Sequence, residues 1–70
     1  MTEYERMSKI LKDSMEIAKE LEQKSTRRDR ENGYRVRMQT KMLAQTFAHY
    51  LGQNGCKFDA VRAEFEKITS

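Results

Sequence analysis

No proline interrupts the 70 residues of this chain, and through most of its length apolar side chains return every three or four positions. Without proline, every residue keeps the amide that an intrahelical hydrogen bond needs. Side chains spaced at three and four fall on one face of a helix with 3.6 residues per turn. With 36% charged residues and three glycines, the composition is that of helix formers. The pattern predicts an all-α chain: two long helices folded into an antiparallel hairpin, then a short third helix, in a single domain spanning 1–70.

Thr2 and Glu5 form the pattern of a capping box, which satisfies backbone donors left free at a helix start. The helix that follows carries Tyr4, Met7, Leu11, Ala18 and Leu21 in a stripe with a gap at Ser14, and it ends near Lys24. Ile10 and Ile17 widen that stripe into a band suited to a bundle, while Met15 widens or leaves it. On the polar face, Glu5 precedes Lys9 and Glu20 precedes Lys24 at the spacing that favours ion pairs.

Residues 25–33 hold no apolar side chain, and two readings stand. Thr26 with Asp29 can cap a helix that begins at once, or Asn32-Gly33 is a turn and the helix begins later. From Tyr34 to Leu51 the helix is clear. Val36, Leu43, Phe47, Tyr50 and Leu51 share one face, expected to receive the first and third helices. Tyr34, Met38 and Met42 form a second strip, expected to meet a partner subunit or a protein target. The helix is expected to stop at Leu51-Gly52, with Gln53-Asn54-Gly55 as a turn. Asp59 then caps a short helix with Val61, Phe65 and Ile68 on one side.

A chain this small buries only about 60% of its unfolded surface and gains stability from disulfides, metals or self-association. Cys56 is its one cysteine, which excludes a disulfide framework, argues against a metal site and suits a reducing compartment. Self-association into a homo-oligomer is the remaining expectation. No apolar run reaches the roughly 18 residues of a membrane span, and the start MTEYERMSK lacks the apolar core of a signal peptide. The reading is a cytoplasmic protein without membrane contact and without a cofactor.

Charge is unevenly distributed. Residues 1–23 carry a net −2, residues 24–41 carry +5 and residues 42–70 balance. One reading of the basic block is an anion or nucleic-acid site. Arg27, Arg28, Arg30, Arg35 and Arg37, with Lys41 one turn on, would make planar contacts to phosphates, and Tyr34 would stack on a base. The other reading is a solvated helix entrance whose arginines pair with acids of the first helix, such as Glu20 and Glu22. Cations at a helix start oppose its dipole, a small penalty that favours a bound anion.

Phe47-Ala48-His49-Tyr50-Leu51, followed by Asn54, Phe58-Asp59 and Arg62, resembles the C-terminal signature of small uncharacterised phage and prophage proteins. In these an amphipathic helix leads through Asn-Pro-Arg-Phe-Asp into a short helix; here Gly55 and Cys56 stand in the proline region. The resemblance covers about the last third of the chain. It implies a phage or mobile-element origin and a helical hairpin, and no activity.

His49 has no second ligand at metal spacing, Cys56 no partner histidine, and the acids of the first helix no cleft on which to converge. The expected function is therefore a non-enzymatic interaction module, and the resemblance implies a phage or mobile-element accessory factor that binds and modulates, or inhibits, a host protein. Tyr34, Met38 and Met42 are its anchors. The alternative is binding of nucleic acid or a phosphorylated ligand through the basic block.

Overall fold

The computed structural model describes residues 2–70. It contains three helices: α1 (Glu3–Glu22), α2 (Arg27–Gln53) and α3 (Phe58–Ile68). α1 and α2 form the expected hairpin, and α3 runs back along it. α1 begins where Thr2 accepts a hydrogen bond from the Glu5 amide at 3.2 Å. It ends two residues short of Lys24, where the Gln23 amide donates back to Lys19 and Glu20.

The early start of α2 is the one realised. Thr26 Oγ1 accepts from the Asp29 amide at 3.2 Å and donates to the Asp29 carboxylate at 2.7 Å. Asn32 and Gly33 consequently lie inside the helix, not in a turn. Gly33 is there for a packing reason: a Cβ would come within 2.8 Å of the Ala18 carbonyl oxygen and 2.9 Å of the Glu22 amide nitrogen. Backbone lies directly on backbone at the closed end of the hairpin.

α2 also ends later than expected, at Gln53. Gly52 continues the helix because a bare α-carbon is needed against Phe58, whose Cβ would lie 3.1 Å from an added methyl. The stop comes at Gly55, with φ +96°, a conformation glycine adopts without strain. The Cys56 amide then returns to the Leu51 carbonyl at 3.0 Å, the closure of a Schellman end. Asp59 is not the cap of α3. The helix starts at Phe58 after Lys57, with no side-chain cap, and the Val61 amide already reaches the Lys57 carbonyl. Asp59 sits in the first turn, where its charge suits the helix dipole.

The core departs from the expected stripes. Leu11, Ala44, Ala48, Leu51, Val61 and Phe65 make a contiguous buried cluster, and Met15 and Ala18 are buried along α1. Met15 thus joins the core, whereas Ile10 and Ile17 stay 42% and 52% exposed. On α2 the buried line is Gly33, Thr40, Ala44, Ala48 and Leu51. Small residues win that line because they allow the close helix approach on which α1 and α3 both depend. Leu43 and Phe47 pack at the margin of the core, and Tyr50 is 43% exposed.

Buried Thr40 and Thr69 satisfy their hydroxyls on the carbonyls four residues back, Val36 at 2.7 Å and Phe65 at 2.9 Å. The buried Ser8 hydroxyl has no partner among the described residues. The expected Glu5–Lys9 and Glu20–Lys24 contacts are absent from the ion pairs of the described residues, which are Arg27–Glu31, Arg37–Glu22, Arg62–Glu66 and Lys67–Glu64. Lys24 lies beyond the end of α1, so the helical spacing that would join it to Glu20 is lost.

Candidate functional site

α3 covers one side of the hairpin and stops partway along it. The residues that follow it, Thr69 and Ser70, line a shallow groove with Lys41 and Ala44 of α2. Ile68 lies beside Lys12, Met15, Glu16 and Lys19 of α1. From Lys41 towards the hairpin tip, α2 therefore continues past α3 with its flank open. Tyr34 and Met38 lie on this stretch and Met42 directly follows Lys41; the three occupy successive turns and are 61%, 41% and 68% exposed. Three large apolar side chains held in water on one element mark a contact surface better than scattered exposed residues do.

The basic block does not form one patch. At 100° per residue, Arg27, Arg30 and Lys41 share a side of α2 with Tyr34, whereas Arg28 and Arg35 project from the outer edge, more than a quarter-turn away. Arg27 pairs with Glu31 at 3.0 Å, both side chains well exposed, so the pairing is weak and easily exchanged. Arg30, Glu31, Tyr34, Arg35 and Met38 line a single open groove. The two candidate sites thus merge into a surface with an aromatic and thioether centre and basic flanks.

Arg37 leaves the anion site. Its guanidinium grips the Glu22 carboxylate with two nitrogens, Nη2 donating to Oε1 and Nε donating to Oε2 at 3.3 Å. The pair fastens the end of α1 to α2 one turn past the Gly33 contact. Of the two acids proposed as arginine partners, Glu22 has this role; Glu20 forms no ion pair among the described residues.

The hydrogen bond from Arg37, with its positive charge and that of Lys19 adding to it, holds the Glu22 carboxyl below its ordinary value of 4.5 against a smaller opposing effect of burial. Arg37 is shifted upward by the same bond. A carboxylate with a lowered folded-state pKa contributes stability that is fully present above its unfolded value and is lost as pH falls through the folded value. Glu22→Gln is accordingly expected to melt below the native protein at pH 7, with the gap closing below pH 4.5. Melting curves of both proteins across that range check this; a gap that persists unchanged at pH 2 to 3 would place its origin in packing.

The His49 ring lies tilted over Phe58 with centroids 4.8 Å apart, bracing the start of α3. Cys56 is free and exposed in the turn. No helix of the described residues is long and apolar enough to cross a membrane.

Neither a protein-family model, nor a curated protein sequence, nor a solved structure matches this chain.

The part played by Gly33 was not read from the sequence, and of the two readings open for Arg37, an anion site or pairing with an acid of the first helix, the pairing with Glu22 is the one realised. The available signal was positional: Gly33 and Arg37 are one helical turn apart, so a helix that begins at Thr26 puts both on the face that meets α1.

Proposed function

We propose that this chain is a small non-enzymatic docking module that binds a protein partner through the Tyr34–Met38–Met42 strip of α2. The observation that carries the reading is the exposure of these three side chains, two of them on the stretch that α3 leaves open. Methionine adapts to irregular apolar grooves, and tyrosine and arginine are favoured where binding energy concentrates. Arg27, Arg30, Arg35 and Lys41 make the flanks basic, with Glu31 the single acid in the groove. A second copy of the same strip would be repelled, so the charge favours a heterologous partner with an apolar groove and an acidic rim. The resemblance of the C-terminal third extends the proposal to a cytoplasmic phage or mobile-element factor that inhibits a host protein by covering part of its surface.

A second reading has its own observation. Arg27, Arg30 and Lys41 lie on the same side of α2 as Tyr34, an arrangement suited to phosphates and a stacked base. The readings separate by salt and by variant. With the captured partner as probe, Met38→Asp with Met42→Asp is expected to weaken docking at least ~30-fold, as for hot-spot residues, while binding survives moderate salt. With a single-stranded oligonucleotide as probe, the second reading requires loss of binding in Arg27→Glu with Arg30→Glu and a steep decline with salt. Docking that ignores the methionine substitutions would sink the first reading.

A further inference from the structure

We propose that the hairpin face opposite α3 is the contact surface of a homodimer in which α1 of one copy lies against α2 of the other. This face adjoins the Tyr34–Met38–Met42 strip along the edge that carries Arg35. α3 packs on the side of the hairpin that carries Lys12 and Lys19 on α1 and Lys41 and Gln45 on α2. At 100° per residue, the opposite side carries Ile10, Ile17 and Leu21 on α1 and Leu43, Phe47 and Tyr50 on α2. Ile10, Ile17 and Tyr50 are 42%, 52% and 43% exposed. A groove at the base of this face runs between Met7 and Phe47, and Tyr50 donates across it to Glu3 at 3.4 Å.

Charge and area together select a second copy as the occupant. Glu3 and Arg6 line the groove at the base of the face; beyond them its centre is uncharged, and its two long edges differ in sign towards the hairpin tip. Asp13 and Glu20 stand on the α1 edge, Arg28 and Arg35 on the α2 edge. The Tyr50–Glu3 bond and the Gly33 contacts with Ala18 and Glu22 set the register of the helices, and that register places Glu20 and Arg35 on opposite edges about two residues apart in height, ~3 Å. A two-fold axis along the hairpin then brings Glu20 of each copy beside Arg35 of the other. Turning the copies end to end instead sets Asp13 against its own counterpart, so the pattern favours α1 against α2. α1 has 20 residues and is about 30 Å long at ~1.5 Å per residue. Two helices abreast at ~10 Å each offer roughly 600 Å² per copy, at the threshold of the ~1,200 Å² total of a specific interface. A domain this small lacks core of its own, and pairing the two faces yields a four-helix layer flanked by the two α3 helices. Tyr34 and Met38 then stay outside the seam, with Arg35 on the boundary between their groove and the dimer contact.

The test is absolute mass by sedimentation equilibrium across protein concentration, with helicity followed by circular dichroism. The native chain is expected to be a dimer, and Ile17→Glu, at a half-exposed position, is expected to keep its helices and dissociate at least ~100-fold more readily. Glu20→Arg and Arg35→Glu should each weaken the dimer about five- to tenfold, and the double reversal should restore it to within about twofold of the native value. Failure of the double reversal to restore association overturns the α1-against-α2 pairing. A native chain that stays monomeric to about 0.5 mM, or a dimer that survives Ile17→Glu but dissociates in Met38→Asp with Met42→Asp, overturns the assignment of the face.

Discussion

Phe65→Ala is expected to undock α3 and remove most of the stability of the chain. Phe65 is 1% exposed and, with Leu11, is the largest fully buried side chain. Its ring stacks on Tyr4 with centroids 5.6 Å apart and planes 15° from parallel, so it joins the middle of α3 to the first turn of α1 across the cluster of Ala44, Ala48 and Leu51. Truncating a buried phenylalanine costs about 3–5 kcal/mol. A chain of 70 residues has roughly 4–10 kcal/mol in all, at ~0.05–0.15 kcal/mol per residue. The melting midpoint, followed by circular dichroism, should fall by at least ~12 °C. A midpoint within ~3 °C of the native protein would show that α3 is an appendage and not part of the core.

Gly33→Ala should destabilise the hairpin although helix propensity alone favours it. In an exposed helix interior the exchange gains about 1 kcal/mol. Here the new methyl meets the Ala18 carbonyl oxygen at 2.8 Å and the Glu22 amide nitrogen at 2.9 Å. Both are backbone atoms, so relief requires α1 and α2 to separate, not one side chain to turn. Overpacking of this kind costs about 1–3 kcal/mol, which outweighs the propensity gain over most of that range. Separation would also stretch the Glu22–Arg37 pair, so the variant should lose part of the pH dependence expected of the native chain. Urea unfolding at pH 7 and below pH 4.5 measures both effects. A net gain in stability would mean that the helices do not approach as closely at this end as the glycine implies.

The two substitutions mark different limits of the sequence. Val61, Phe65 and Ile68 were readable as the inner face of α3 because a short amphipathic helix beside a hairpin has one place to bury its apolar side. Gly33 was not readable, because a glycine in a polar stretch signals a turn until the partner helix is known to lie against it. Arg37 is the same case: nothing local distinguishes it from Arg35, yet two residues turn the side chain from the outer edge of α2 to the face where Glu22 is waiting. The Tyr34, Met38 and Met42 strip was visible as a strip, and its exposure became meaningful only once α3 was seen to stop at Lys41.

By itself the sequence determined the helices and their order. Periodicity and capping are local, set by hydrogen bonds and side chains within a turn or two, and Thr2 placed the start of α1; the start of α2 stood open between Thr26 and Asn32-Gly33, and the end of α2 at Gln53 and the uncapped start of α3 at Phe58 differ from the local reading. Which apolar residues become core was decided only by the tertiary structure. On α2, alanine, glycine and threonine took the buried line from Val36, Leu43, Phe47 and Tyr50 because the interhelical distance, not side-chain hydrophobicity, governs how much surface three short helices can bury together. That choice leaves two large apolar surfaces outside the core, one with basic flanks and one with edges of opposite sign, on which the proposed docking and the proposed dimer rest.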